Sequence, residues 1–189
     1  MIRHFFTPAA LSCALVLAAC EKQQPLLEAY AAQAVTSRTT AAGGLIAAFK
    51  AGQISQDDAI TLAWDKLAAG EDTTNFAGAV LDMLLAVEGQ LAQGGEFEIF
   101  WRRVGRLAFA AANTAYVNGR KAEALGLVLA GPKRWQTENY FLAYPDHDAL
   151  VAILLDESGR RQEAIAWLRD RPELRGPAEE VYRRLTGGR

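Results

Sequence analysis

Cysteine and histidine are scarce in this sequence. Both cysteines, Cys13 and Cys20, and one of the two histidines fall within the first 20 of its 189 residues. Residues 21–189 therefore cannot form an intrachain disulfide, and their single histidine, His147, cannot build a zinc site of the Cys/His type. No loop has the spacing of an EF-hand. We expect no metal and no cofactor, and a core that is stabilised by packing alone.

The sequence also lacks an apolar run of membrane-spanning length at its start. The apolar run from Phe5 to Ala19 contains 15 uncharged residues, whereas a spanning helix needs about 20. Arg3 precedes this run, and a basic start followed by a short apolar core is the pattern of a secretory signal peptide. We therefore expect residues 1–19 to be removed from an exported protein.

The run ends in Leu17-Ala18-Ala19-Cys20, which resembles the lipobox of bacterial lipoprotein signal peptides. The resemblance implies that Cys20 is acylated and becomes the new N-terminus, since two or more acyl chains hold a protein stably on a membrane. Glu21 follows where lipoproteins retained in the inner membrane typically carry Asp, so the resemblance favours the outer membrane, facing the periplasm. The alternatives are an ordinary cleaved signal and an uncleaved N-terminal anchor.

A large excess of positive charge is absent. Residues 20–100 hold 4 Lys or Arg against 11 Asp or Glu, and residues 101–189 hold 15 against 11. The chain therefore has an acidic half and a weakly basic half. Because nucleic-acid-binding proteins usually carry a much stronger basic excess, we expect no nucleic-acid partner.

Alternation of polar and apolar residues between hairpin turns is absent too, so no strand is predicted. Apolar residues recur instead at helical spacing, in about eight segments that end at Gly, Asn-Gly or Gly-Pro. The fold class is therefore predicted to be all-α. The stretch 55–58 has the form of a capping box, with Ser55 as the cap. The helix that follows should bury Ala59, Ile60, Ala63, Trp64 and Leu67.

Composition divides the chain into three predicted parts. Residues 1–19 form the signal peptide, and residues 20–44 form the lipidated cysteine and a tether. Within that tether, residues 36–44 are small and polar and end in two glycines, a composition typical of a loop. Residues 45–189 form the helical domain.

Two passages, residues 115–125 and 154–165, look alike. In each, a glycine (Gly119 or Gly159) closes one helix, and four residues later Glu-Ala-Leu or Glu-Ala-Ile begins the next. Both passages resemble the centre of a tetratricopeptide repeat (TPR). The resemblance implies helix-turn-helix pairs in a right-handed superhelix with a concave binding surface. The two glycines are 40 residues apart, not the roughly 34 of a standard repeat, so a helical bundle is the alternative.

Catalytic residues are sparse. His147 lies between Asp146 and Asp148 and could act as a base, but the Pro145-Asp146 pair favours a helix start with Asp146 as its N-cap. Glu157-Ser158 resembles the catalytic pair of lytic transglycosylases, but the glycine-leucine-methionine-glutamine stretch of that family is absent. We therefore expect no enzymatic activity.

Two groups of residues suit binding. The connection over 131–145 is long and rich in aromatic residues, and long connections are often functional. The second group is a basic cluster on the predicted solvent side of its helix. The candidate partner-binding residues are Trp135, Tyr140, Phe141, Tyr144, Arg102, Arg103 and Arg106. The alternatives are aromatics that cover the core and a solvated helix face.

Taken together, the resemblances imply a membrane-anchored periplasmic lipoprotein. Its function would be that of a helical scaffold that binds a protein or peptide in envelope assembly, secretion or pilus biogenesis. The alternatives are a regulator or enzyme of cell-wall metabolism, and a carrier of a small ligand.

Overall fold

Nine helices make up the described part of the chain. The computed structural model describes residues 23–71, 73–88, 95–129, 145–171 and 174–187, without the side chains of 95–99, 101 and 145. No strand occurs in these ranges, so the predicted all-α class is confirmed. The helices are α1 (23–36), α2 (Arg38–Lys50), α3 (Gln56–Ala68), α4 (Thr74–Ala86), α5 (Gly95–Val117), α6 (Lys121–Leu129), α7 (Pro145–Glu157), α8 (Arg161–Arg169) and α9 (Gly176–Thr186).

The first half of the fold, from α1 to α4, is arranged around α4. This helix packs against α2, α3 and α5, and its side chains from Thr74 to Leu84 are nearly all buried, including Phe76 with 1 % of its surface exposed. A helix that is apolar on most sides is expected at the centre of a domain. Helices that are not consecutive in the chain, α2 with α4 and α3 with α5, therefore pair directly.

The segment 36–44, predicted as a tether or loop, is helical on both sides of Ser37. Ser37 caps α2 by accepting a hydrogen bond from the Thr40 amide, and Ala41 and Ala42 are buried. A Cβ atom at Gly44 would overlap the ring of Tyr30, so this glycine allows α1 and α2 to approach closely. The predicted domain boundary between residues 44 and 45 falls inside α2, and the tether prediction is wrong for this segment.

An ion pair joins α2 to α4. Arg38 donates two hydrogen bonds to Asp82, from Nε to Oδ2 at 2.8 Å and from Nη2 to Oδ1 at 2.7 Å. Gly78 lies one turn before Asp82, and a Cβ atom there would stand 2.7 Å from the Arg38 guanidinium. The missing side chain at Gly78 therefore makes room for a bidentate pair.

The second half, from α5 to α9, consists mainly of consecutive helix pairs. α5 packs against α6, α7 against α8, and α9 against both α7 and α8, while α6 also contacts α7. In the predicted turns, Gly119 has φ 77° and Gly159 has φ 76°. The next amide, of Arg120 or Arg160, donates to a carbonyl five residues earlier, at 2.8 Å or 2.9 Å. This is a Schellman turn, which favours glycine, so the two passages share their local geometry.

Two helix starts can be compared with their predictions. Ser55 accepts a hydrogen bond from the Asp58 amide, so the predicted cap of α3 is confirmed. α7 begins at Pro145, so Asp146 lies in its first turn and is not the N-cap. Proline is well suited to the first position of a helix because a backbone N–H there would have no partner within the helix. None of the helices in the described ranges is both long and apolar enough to cross a membrane.

Candidate functional site

A groove between α3 and α5 is the strongest candidate for a binding site. Its volume is about 260 Å³. The lining residues come from one face of each helix and are Ile60, Thr61, Trp64, Arg103 and Arg106. The groove therefore combines an apolar floor, an aromatic side chain and two positive charges, and the lining contains no acidic residue.

Trp64 was predicted to lie in the buried stripe of α3, and that prediction is wrong. Ala59, Ile60 and Ala63 are buried, but Trp64 keeps 42 % of its surface exposed. At 3.6 residues per turn, Trp64 lies at the edge of the stripe, next to the solvent-facing positions of Asp57 and Thr61. This edge position, with a polar residue three before it, is the sequence signal that could have identified Trp64.

The basic cluster of α5 forms the opposite wall. Arg102 and Arg106 are exposed and Arg103 is half-exposed, and Arg103 and Arg106 line the groove whereas Arg102 does not. Arg103 Nη1 donates to Asp57 Oδ1 at 2.6 Å, which orients its guanidinium beside α3. This bond uses one of the five N–H donors of an arginine.

The other predicted sites lie outside the described residues. These are the lipidation site Cys20 and the aromatic residues Trp135, Tyr140, Phe141 and Tyr144. Their assignments stay predictions.

His147 and Asp148 lie in the core rather than at a cleft. His147 is only 3 % exposed and packs against the Phe109 ring, at 6.1 Å between ring centres. Asp148 Oδ1 accepts a hydrogen bond from Trp167 Nε1 at 2.9 Å and lies 3.0 Å from Arg171 Nε. The Arg171 guanidinium in turn stacks over the Trp167 ring at 4.3 Å. This cluster joins α7 to α8 and the residues that follow α8.

Glu157 lies in a charged cluster on the surface. Lys121 Nζ lies 2.9 Å from Glu157 Oε2, and Tyr116 donates to Oε1 at 3.0 Å. The hydrogen bond with Lys121 is the main reason that the pKa of Glu157 is lowered. The Ser158 hydroxyl donates to the Leu154 carbonyl at 2.7 Å. A glycosidase acid needs a raised pKa, so these contacts do not fit general-acid catalysis by Glu157.

Two other hollows lack an exposed aromatic residue. One, of about 210 Å³, lies between α1 and α3 and includes Asp58 and Asp65. Another, of about 480 Å³, lies beside Glu180, Val181, Arg183 and Arg184, all of which belong to α9. Among the described residues, no three His, Cys, Asp or Glu side chains are grouped as a metal site would require.

Comparisons with known proteins do not supply a function. No protein-family model matches the chain, and no curated protein or solved structure matches it significantly. The all-α fold and the groove between α3 and α5 are therefore the basis for a functional proposal.

Proposed function

We propose that this protein is a lipid-anchored helical scaffold of the bacterial envelope, which holds a protein partner through the groove between α3 and α5. The observation that carries the proposal is the exposure of Trp64 beside Arg103 and Arg106. Tryptophan and arginine are among the residue types most enriched at the energetic centres of protein interfaces. The anchor rests on the lipobox-like stretch ending at Cys20.

A lipid at Cys20 would lie close in the sequence to the first described helix. Leu27, Ala31 and Ala34 of α1 are buried, so α1 belongs to the folded domain. The lipid at Cys20 would then be separated from α1 by only a few residues, so the folded domain would stay close to the membrane.

The anchor is tested by the mass of the mature protein. We expect the N-terminal peptide to begin at Cys20 and to carry the added mass of acyl chains. We also expect the Cys20→Ser variant to leave the membrane fraction. A mature chain that begins elsewhere, or one without acyl mass, would contradict the anchor.

The scaffold is tested by crosslinking the chain in native membranes and identifying what co-purifies. We expect a specific protein that the Trp64→Ala variant captures less well. Specific release of cell-wall fragments by the purified chain would instead favour the enzyme alternative. Capture of no protein in any form of the chain would contradict the scaffold.

A further inference from the structure

We infer that the groove between α3 and α5 binds an acidic peptide segment, with a carboxylate held by Arg103 and Arg106 and an apolar side chain packed against Trp64. This inference rests on the proposed scaffold function and names the chemistry of its partner. The inference is supported by the position of Trp64 on one wall and of Arg103 and Arg106 on the other, around a groove of about 260 Å³.

The charges of the groove select an anionic ligand. Two of its five lining residues are arginines and none is acidic. Asp57 bonds Arg103 at the edge of the groove, but through one Nη1–H···Oδ1 contact. A guanidinium can bind two carboxylates at once because its five N–H donors form a planar fork. Asp57 therefore orients Arg103 and leaves N–H donors that can bind a second carboxylate, from the ligand.

The apolar lining selects the rest of the ligand. Ile60 is buried at 3 % exposure, and Trp64 keeps 42 % of its surface exposed. An apolar side chain of the ligand would therefore cover the exposed part of the Trp64 indole. The volume is below the roughly 300–1,000 Å³ of drug-sized ligand pockets. The groove therefore fits a short piece of peptide, an apolar side chain with a neighbouring carboxylate, and not a drug-sized ligand.

A peptide fits this groove better than an anionic membrane surface does. Asp57 is the acidic residue of α3 at the edge of the groove, whereas Asp58 and Asp65 line the separate hollow between α1 and α3. A broad anionic bilayer laid over the groove would meet the Asp57 carboxylate at the same time as the arginines. A narrow peptide can contact the α5 arginines without lying over Asp57.

The test uses the full-length protein, purified in detergent, and two short dye-labelled peptides. One peptide has a phenylalanine flanked by glutamates, and the other has lysines in place of the glutamates. Fluorescence anisotropy measures their binding to the wild-type protein and to three variants: Trp64→Ala, Arg106→Ala and Arg169→Ala. Arg169 is the matched control, because its side chain is 65 % exposed on α8, away from the groove.

We expect the acidic peptide to bind and the basic peptide not to bind. Arg106→Ala and Trp64→Ala should each weaken binding about tenfold, because each removes a central contact. Arg169→Ala should change binding by less than about twofold, and added salt should weaken binding by screening the exposed charges. The thermal unfolding of each variant, followed by circular dichroism, shows whether it is folded.

The Arg106→Glu variant adds a test whose readout includes a gain of binding as well as a loss. It reverses one charge at an exposed position, so it should abolish binding of the acidic peptide and permit binding of the basic one. Equal binding of both peptides, or acidic-peptide binding that is unaffected in folded Arg106→Ala and Trp64→Ala variants, would overturn the inference. So would binding of neither peptide.

Vesicles that contain phosphatidylglycerol test the membrane reading. Binding of the Cys20→Ser chain to these vesicles that is lost in Arg106→Ala, with no binding of the acidic peptide, would replace the peptide with a lipid surface. The scaffold proposal fails separately: it fails if crosslinking captures no protein. If a captured partner is retained by Trp64→Ala and Arg106→Ala, this inference and the assignment of the partner to the groove both fail, whereas the lipid-anchored scaffold stands with another binding surface.

Discussion

The two halves of the fold differ in which helices pack against one another. In the first half, α4 lies at the centre, and contacts join helices that are not consecutive, such as α2 with α4. In the second half, consecutive helices pair through short glycine turns. One ion pair of the first half, Arg38–Asp82, is part-exposed, whereas one polar cluster of the second half lies around the buried Asp148. Glycine turns occur in both halves, so the difference lies in which helices pair and not in the turns that join them.

The largest expected effect separates these two polar contacts. Asp148→Ala should lower the free energy of unfolding by about 3 kcal/mol, because it removes a buried carboxylate from Arg171 and Trp167. Asp82→Ala should lower it by only about 1 kcal/mol, because water reaches both members of its pair. Urea denaturation measures both values. Equal losses would show that burial does not distinguish the two contacts.

The fit of Gly78 beneath Arg38 gives a sharper test of the first half. In an Arg38→Ala background, Gly78→Ala should raise stability by roughly 0.5–1 kcal/mol, because alanine is the better helix former. In the wild-type chain this gain should disappear, because the new Cβ displaces the guanidinium that pairs with Asp82. A double-mutant cycle measures the coupling. Additive effects would contradict the proposed contact.

The glycine turns of the second half should respond alike. Gly119→Ala and Gly159→Ala should each lower stability by about 1 kcal/mol or more, because alanine is strained at φ near 77°. Gly126→Ala is the control, since Gly126 is helical with open space around its Cβ position. It should instead raise stability by roughly 0.5–1 kcal/mol. Thermal unfolding of the three variants decides whether the signs differ in this way.

The smallest expected effect is a pH dependence from Glu157. Contacts with Lys121 and Tyr116 lower its pKa below the ordinary 4.5, so the folded state binds this proton less readily than the unfolded state. The resulting stability is present above about pH 4.5 and is lost as the pH falls through the folded-state pKa. Glu157→Gln should therefore lower stability by roughly a few tenths of a kcal/mol near neutral pH and by nothing in acid. An equal effect at both pH values would contradict this assignment.

Local signals in the sequence predicted the features that depend on neighbouring residues. Ser55 caps α3 through the amide three residues later, and Gly119 and Gly159 close their helices within one turn. However, the same Schellman hydrogen bonds also occur at Gly52 and Gly70, outside the two similar passages. The turn is therefore a general helix end in this chain, and the TPR relationship stays a prediction.

Features that depend on distant residues could not be predicted in this way. Gly44 was interpreted as part of a loop, but it lies in α2, where the absence of a Cβ makes room for the ring of Tyr30 on the preceding helix. Trp64 was assigned to the core because its spacing suits the buried stripe, and its exposure depends on where α5 crosses α3. The Arg103–Asp57 pair, which orients the Arg103 guanidinium in the groove, joins residues 46 positions apart. The arginine cluster was predicted from sequence, but its aromatic partner was not.

The most direct test of the binding groove is a site-specific photo-crosslink in the membrane-anchored, full-length chain. A photoreactive amino acid replaces Thr61, an exposed residue of the groove, or Gly126, an exposed residue of α6. We predict a discrete protein adduct from position 61 alone, which disappears with Arg106→Ala and with an excess of the acidic peptide. Identical adducts from both positions, or an adduct from position 61 that neither treatment weakens, would contradict the account.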